Sequence, residues 1–170
     1  MRDLDNKGFT LIEILAVVVI IGIIGLIAVP SVLSTLNIGK NSSYDILVKD
    51  ITVASIQLHE EVSFVGTSIY QYNNDGNTRN IISASDEITT NLQTLVSNGF
   101  LTGINNPDKE GTNKNLKIIT NPKNGKDIGS CVITITKTVE DNYNTSYTIT
   151  GDSSDAFCPT SDEYKKALNN

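Results

Sequence analysis

Glu13 is the only charged residue in the 21 positions from Phe9 to Val29, a run otherwise made almost wholly of Ile, Leu, Val, Ala and Gly. As a helix this run is about 30 Å long, enough to cross the hydrocarbon core of a bilayer. A carboxylate at the centre of such a span costs about 2.5–3.5 kcal/mol, less near its end, and a membrane carboxylate calls for a partner. Other chemistry is sparse. His59 is the sole histidine and stands beside Glu60 and Glu61, where it reads as a surface residue of a helix. One histidine and two cysteines make no plausible zinc ligand set. Asp152, Asp155, Asp162 and Glu163 lack the spacing of a known calcium loop and read as a solvated acidic surface. The glycines are scattered through turns and form no phosphate-cradling loop. No catalytic constellation, metal site or cofactor is expected, so the residues read as those of a non-enzyme.

Cys131 and Cys158 are the only cysteines. In an oxidising exterior an even count favours a disulfide, and two buried free thiols are the alternative. The formal charge of −6, without any run of Lys and Arg, argues against nonspecific nucleic-acid binding. The length of 170 residues allows one soluble domain beside the apolar segment.

The elements that must position these residues divide the chain at 1–8, 9–30, 31–65 and 66–170. The apolar run is hydrophobic on every face, unlike a soluble helix. Gly22 and Gly25 lower helix propensity by about 1 kcal/mol each, and Pro30 removes a donor and predicts a kink. From Lys40 the pattern becomes amphipathic: Tyr44, Leu47, Val48, Ile51, Ser55, Leu58 and Val62 recur at spacings of three and four. A polar stretch at Asn41 to Ser43 is a candidate interruption, and Gly66 ends the pattern. A short strand at Ile69 to Tyr72 and a turn at Asn74 to Asn77 follow. Asp86 reads as the cap of a helix carrying Ile88, Leu92, Leu95 and Val96, stopped by Asn98-Gly99. Three strands are expected at 116–120, 131–138 and 147–150, with a turn at 140–144 before the last and a short helix at 161–168 at the end. The fold class is α+β: a long N-terminal helix, apolar first and amphipathic second, with a small antiparallel sheet packed on its amphipathic face.

The N-terminus closely resembles that of type IV pilins and pilin-like proteins. The likeness rests on a short leader with Arg2 and Lys7 ending at Gly8, Phe9 directly after it, Glu13 four residues on, and an apolar helix holding Gly22 and Pro30. Asp3 and Asp5 dilute the leader's positive charge, a departure from the more basic leaders of the family. A secretory signal peptide would place its cleavage site after the apolar run; here the candidate site precedes it. Leu95 to Leu101 also resembles a recurring pilin pattern, a short helix closing in Gly-aromatic-Leu before a Pro-containing loop, here Asn106-Pro107-Asp108.

The resemblance implies cleavage between Gly8 and Phe9 by a prepilin peptidase and N-methylation of the new Phe9 amine. It implies pairing of Glu13 with the Phe9 amine of a neighbouring subunit, and a segment from Gly22 to Pro30 able to lose helicity in filaments. It also implies a disulfide between Cys131 and Cys158, bounding a surface-exposed region at 132–157. The expected partners are other pilin subunits, the peptidase, an assembly platform with its ATPase, and the cytoplasmic membrane; nucleic acid is not expected. The chain would sit in that membrane before assembly and in an extracellular filament afterwards, serving adhesion, motility or biofilm formation. Two alternatives remain: a secretion pseudopilin or DNA-uptake pilin, and a membrane-anchored domain that builds no filament.

Overall fold

The computed structural model describes residues 10–64, 69–72, 79–105, 116–139, 144–152 and 155–169. The chain divides into two compact units, residues 1–40 and 41–170. Helix α1 (Leu11–Ser63) runs through both. It is followed by β1 (Tyr70–Tyr72), β2 (Arg79–Ile81), β3 (Glu87–Asn91), α2 (Leu92–Ser97), β4 (Ile104–Asn105), β5 (Lys117–Ile118), β6 (Val132–Val139), β7 (Thr145–Gly151) and α3 (Ser161–Leu168). This is an α+β, pilin-like architecture of one long N-terminal helix and small antiparallel sheets.

The second unit is built on the amphipathic half of α1. Tyr44, Val48, Ile51, Ala54, Leu58 and Val62 are buried at helical spacing and join the sheet residues in one core. Thr52 and Ser55 lie on the same stripe and donate to the carbonyls of Val48 and Ile51, both at 2.7 Å, so neither hydroxyl is stranded. Asn41 to Ser43 do not interrupt the helix. Asn and Ser are weak helix formers rather than breakers, and the buried Tyr44 and Val48 hold the turn that follows them. Gly66 and the turns at 74–77, 106–108 and 140–143 lie outside the described residues.

The principal sheet has the order β3-β6-β7, all antiparallel, with Ile88, Ile135 and Ile149 aligned across it on the buried face. The expected helix from Asp86 does not form: residues 87–91 are a strand. Ile88, Thr89 and Thr90 are β-branched, alternate buried and exposed, and pair with β6 from Thr136 to Val132. Helix α2 begins only at Leu92, capped by Asn91, whose Oδ1 accepts from Thr94 N at 3.0 Å. It stops where Asn98-Gly99 was expected to stop it. Gly99 takes φ +83°, and Gly99 N and Phe100 N return to the carbonyls of Val96 and Leu95. The strand expected at 116–120 is shorter, Lys117–Ile118, while β7 is longer, from Thr145 to Gly151.

Two devices hold the C-terminal segment. A disulfide joins Cys131 to Cys158, with Cα atoms 5.6 Å apart. Helix α3 opens with a reciprocal capping box between Thr160 and Glu163. Its Tyr164 is fully buried and packs against Gly151, where a Cβ would stand 3.0 Å from Tyr164 Cε2 and closer still to the Pro159 carbonyl oxygen. Glu163 also accepts a hydrogen bond from Tyr44 Oη at 2.9 Å and faces Lys123 Nζ at 3.8 Å. Lys123 lies over the Tyr44 ring, 3.5 Å from its centroid.

Burial pushes the Tyr44 phenol well above its ordinary range, and the bond to Glu163 adds to the shift. Burial does the same to Tyr164, with Tyr44 and Glu163 as the charges that repel its phenolate. A phenol raised in the folded state contributes stability that is complete below about pH 10, the unfolded value, and drains away as pH climbs above it. Denaturation midpoints should therefore hold steady to about pH 10 and fall beyond it, and Phe at both positions should flatten that fall. Among the described residues Tyr164 Oη has no hydrogen-bond partner, so Tyr164→Phe should cost little at neutral pH. The disulfide closes a loop of 27 sequence positions, for which chain entropy predicts about 3–4 kcal/mol. Urea unfolding with and without reductant measures that difference.

Candidate functional site

The first unit holds the one residue with a sharp chemical case. Glu13 sits in the first turn of α1. Its Oε2 accepts from Thr10 N at 2.8 Å and from Thr10 Oγ1 at 2.7 Å, while Glu13 N reaches back to Thr10 Oγ1 at 3.4 Å. Thr10 and Glu13 thus form a reciprocal capping box at the helix start, satisfying donors that have no partner within the helix. The sequence reading passed over Thr10, although the Thr-x-x-Glu spacing before an apolar run was its signal. Among the described residues, the hydrogen bonds to this carboxylate all fall on Oε2. Gly8 and Phe9 lie outside the described residues.

Beyond Glu13 the helix is a bare apolar rod. Every large hydrophobic side chain from Leu11 to Ile38 is at least 52% exposed, a degree that no soluble helix sustains over seven turns. An 18-residue window of it meets the length and apolarity needed to cross a membrane and has none of its residues buried. A Cβ at Gly22 or Gly25 would meet nothing within 4 Å, so both glycines keep an open surface for a neighbour. The helix passes through Pro30. Just beyond it, Ser31 Oγ donates to the Ala28 carbonyl at 2.9 Å and Thr35 Oγ1 to the Ser31 carbonyl at 3.0 Å. Both hydroxyls donate to helix carbonyls near Pro30, whose missing N–H leaves the Leu26 carbonyl without its helical donor.

Residues 4–29 match the family of the prokaryotic N-terminal methylation motif. With the long apolar helix, this fits a type IV pilin. No curated protein and no solved structure matches the chain. The motif marks a pilin- or pseudopilin-like substrate, and pilin-type subunits are structural proteins not known as enzymes. The leader motif and apolar helix also fit membrane anchoring before assembly.

The second unit of this pilin-like chain corrects one further expectation. His59 is buried, not on the surface, with 1% of its area exposed. It lies four residues after Ser55 and so shares the inward stripe of α1. Its Nε2 is 3.4 Å from the Asp86 carbonyl oxygen, and the ring meets Tyr147 edge-on at 5.5 Å. Tyr147 Oη donates to Glu60, which also pairs with Lys137 Nζ at 3.2 Å. This cluster ties α1 to β6 and β7. Among the described residues, no group of three His, Cys, Asp or Glu side chains is arranged to hold a metal. Of the acidic residues near the C-terminus, Glu163 is engaged by Tyr44, Thr160 and Lys123.

Thr10→Ala removes the cap acceptor and should loosen the first turn of α1 by about 1 kcal/mol. In detergent micelles that appears as amide exchange about fivefold faster at Leu11 to Glu13, with residues beyond Val19 unchanged. Thr10→Ser should restore the protection.

Proposed function

We propose that the chain is the subunit of a type IV pilus, cleaved between Gly8 and Phe9, methylated on the new Phe9 amine and polymerised through α1. The observation that carries this reading is the uncovered apolar helix with a single carboxylate, four residues after Phe9 and so the fifth past the candidate cleavage bond. Burying a Leu, Ile or Val side chain contributes roughly 1.5–3 kcal/mol. With about eighteen such side chains on this unit, lipid or a bundle of like helices is its only low-energy surroundings.

Glu13 then sets the register between subunits. Thr10 occupies Oε2 and leaves Oε1 to receive the methylated Phe9 ammonium of a neighbour. In low dielectric that attraction is strong, and removing one partner strands a buried charge at roughly 3–5 kcal/mol. The partners are other copies of the chain, a prepilin peptidase, and an assembly platform with its ATPase. The product is an extracellular filament serving adhesion, surface motility or biofilm formation.

The N-terminal mass of protein sheared from the cell surface tests this directly, in wild type and in Glu13→Ala. Wild type should yield filaments whose first residue is methylated Phe9. Glu13→Ala should still be cut after Gly8 yet stay in the membrane. Intact Met1 found solely in membranes would leave an anchored domain in place of a filament subunit.

A further inference from the structure

The outward face of the principal sheet is a grid of hydroxyls. Strand register places Thr89, Thr134 and Thr150 in one row, and Glu87, Thr136 and Thr148 in the next, with Thr138 opposite Ser146 beyond. Neighbours stand about 4.8 Å apart between strands and roughly 6.7 Å apart along them. Of ten outward positions on β3, β6 and β7, six are Thr, one is Ser and only Glu87 is charged. A soluble surface ordinarily carries about 25–35% charged residues, and this chain has a net charge of −6. Lys137 is turned to the opposite face, where it pairs with Glu60. Thr89, Thr138, Thr148 and Thr150 are exposed, and Thr134 and Thr136 are half-buried between them.

From this face we infer a docking surface for a neutral polysaccharide. Its near-absence of charge matches a partner without charge: an acidic or basic polymer would find no ionic complement here. Each Thr presents a hydroxyl beside a methyl group, the same pairing that a sugar ring offers along its edge and face. The grid is also ordered before binding. Thr has few χ1 states, Thr89 Oγ1 and Thr134 Oγ1 are hydrogen-bonded at 3.0 Å, and three paired strands fix the spacing, so little side-chain freedom remains to be lost. A linear chain of neutral sugars laid across the strands would meet successive hydroxyls on β3, β6 and β7.

The inference rests on display of the head outside the cell, as in the filament reading, and binding by the purified chain tests it separately. Unprocessed Met1 would defeat the filament and leave binding untouched; failure to bind would leave the filament standing. The full-length protein in detergent is mixed with insoluble cellulose or chitin, and with an alginate gel as the charged control, at low and high salt. Retention on a neutral polymer, unchanged by salt, is expected. A fourfold Thr→Val variant at 134, 136, 148 and 150 should lose at least tenfold in retention, while the matching Thr→Ser variant keeps most of it. Should the fourfold variant not fold, Thr148→Arg on the exposed edge strand puts bulk and charge in the grid and should give the same loss. Equal retention of these variants and wild type overturns the inference. So does retention on alginate alone, or on neither neutral polymer.

Discussion

Some eighteen large apolar side chains between Leu11 and Ile38 stand exposed on a single helix, and water is the one surrounding they cannot tolerate. That constraint governs the rest of the protein. It calls for lipid or a bundle of like helices around this segment, and in the filament reading proposed above the lone carboxylate of Glu13 becomes a register mark rather than a blemish. Isotropic packing of apolar helices specifies no axial offset, since one apolar turn serves nearly as well as the next. A charge in a low-dielectric seam specifies one sharply. The capping box with Thr10 keeps the carboxylate oriented at the helix start, where its desolvation cost is lowest.

The second unit answers a different problem, how to hang a small β-rich head on a helix that must keep its other faces free. The solution is a narrow stripe from Tyr44 to Val62 joined to the inner face of β3, β6 and β7. So small a core is supplemented at its margins. The disulfide ties the start of β6 to the segment before α3. The Tyr44, Lys123 and Glu163 contacts join three separate stretches of chain at one end of the stripe, and the Glu60, Tyr147 and Lys137 contacts serve the other. Exposed ion pairs of this kind are individually weak. Here they are anchored by the buried Tyr44 and the half-buried Tyr147, so their geometry is held at little extra cost in side-chain entropy.

Much of this was legible in the residues because it is local. The apolar run, the Gly8-Phe9 and Glu13 pattern, the amphipathic stripe, the Asn98-Gly99 stop and the C-terminal helix all depend on neighbours within about four positions. Two further features are local as well: Thr10 stands at Thr-x-x-Glu spacing before the apolar run, and His59 falls on the inward stripe counted from Ser55. The strand at 87–91 is of another kind. Ile88, Leu92, Leu95 and Val96 do have helical spacing, and nothing nearby forbids one helix through them.

By itself, then, the sequence determined the apolar helix, its one carboxylate, the place where the amphipathic stripe begins, the Asn98-Gly99 stop and the C-terminal helix, since each follows from side-chain chemistry and short-range hydrogen bonding. Only the tertiary structure decided that 87–91 is a strand, that Cys131 meets Cys158, that His59 is covered by Tyr147, and that the Thr side chains of three strands form one grid. Each of these depends on partners dozens of residues away in the chain. Strand pairing satisfies the backbone of 87–91 with β6, more than forty positions on, and that gain outweighs a helical preference too short to sustain itself.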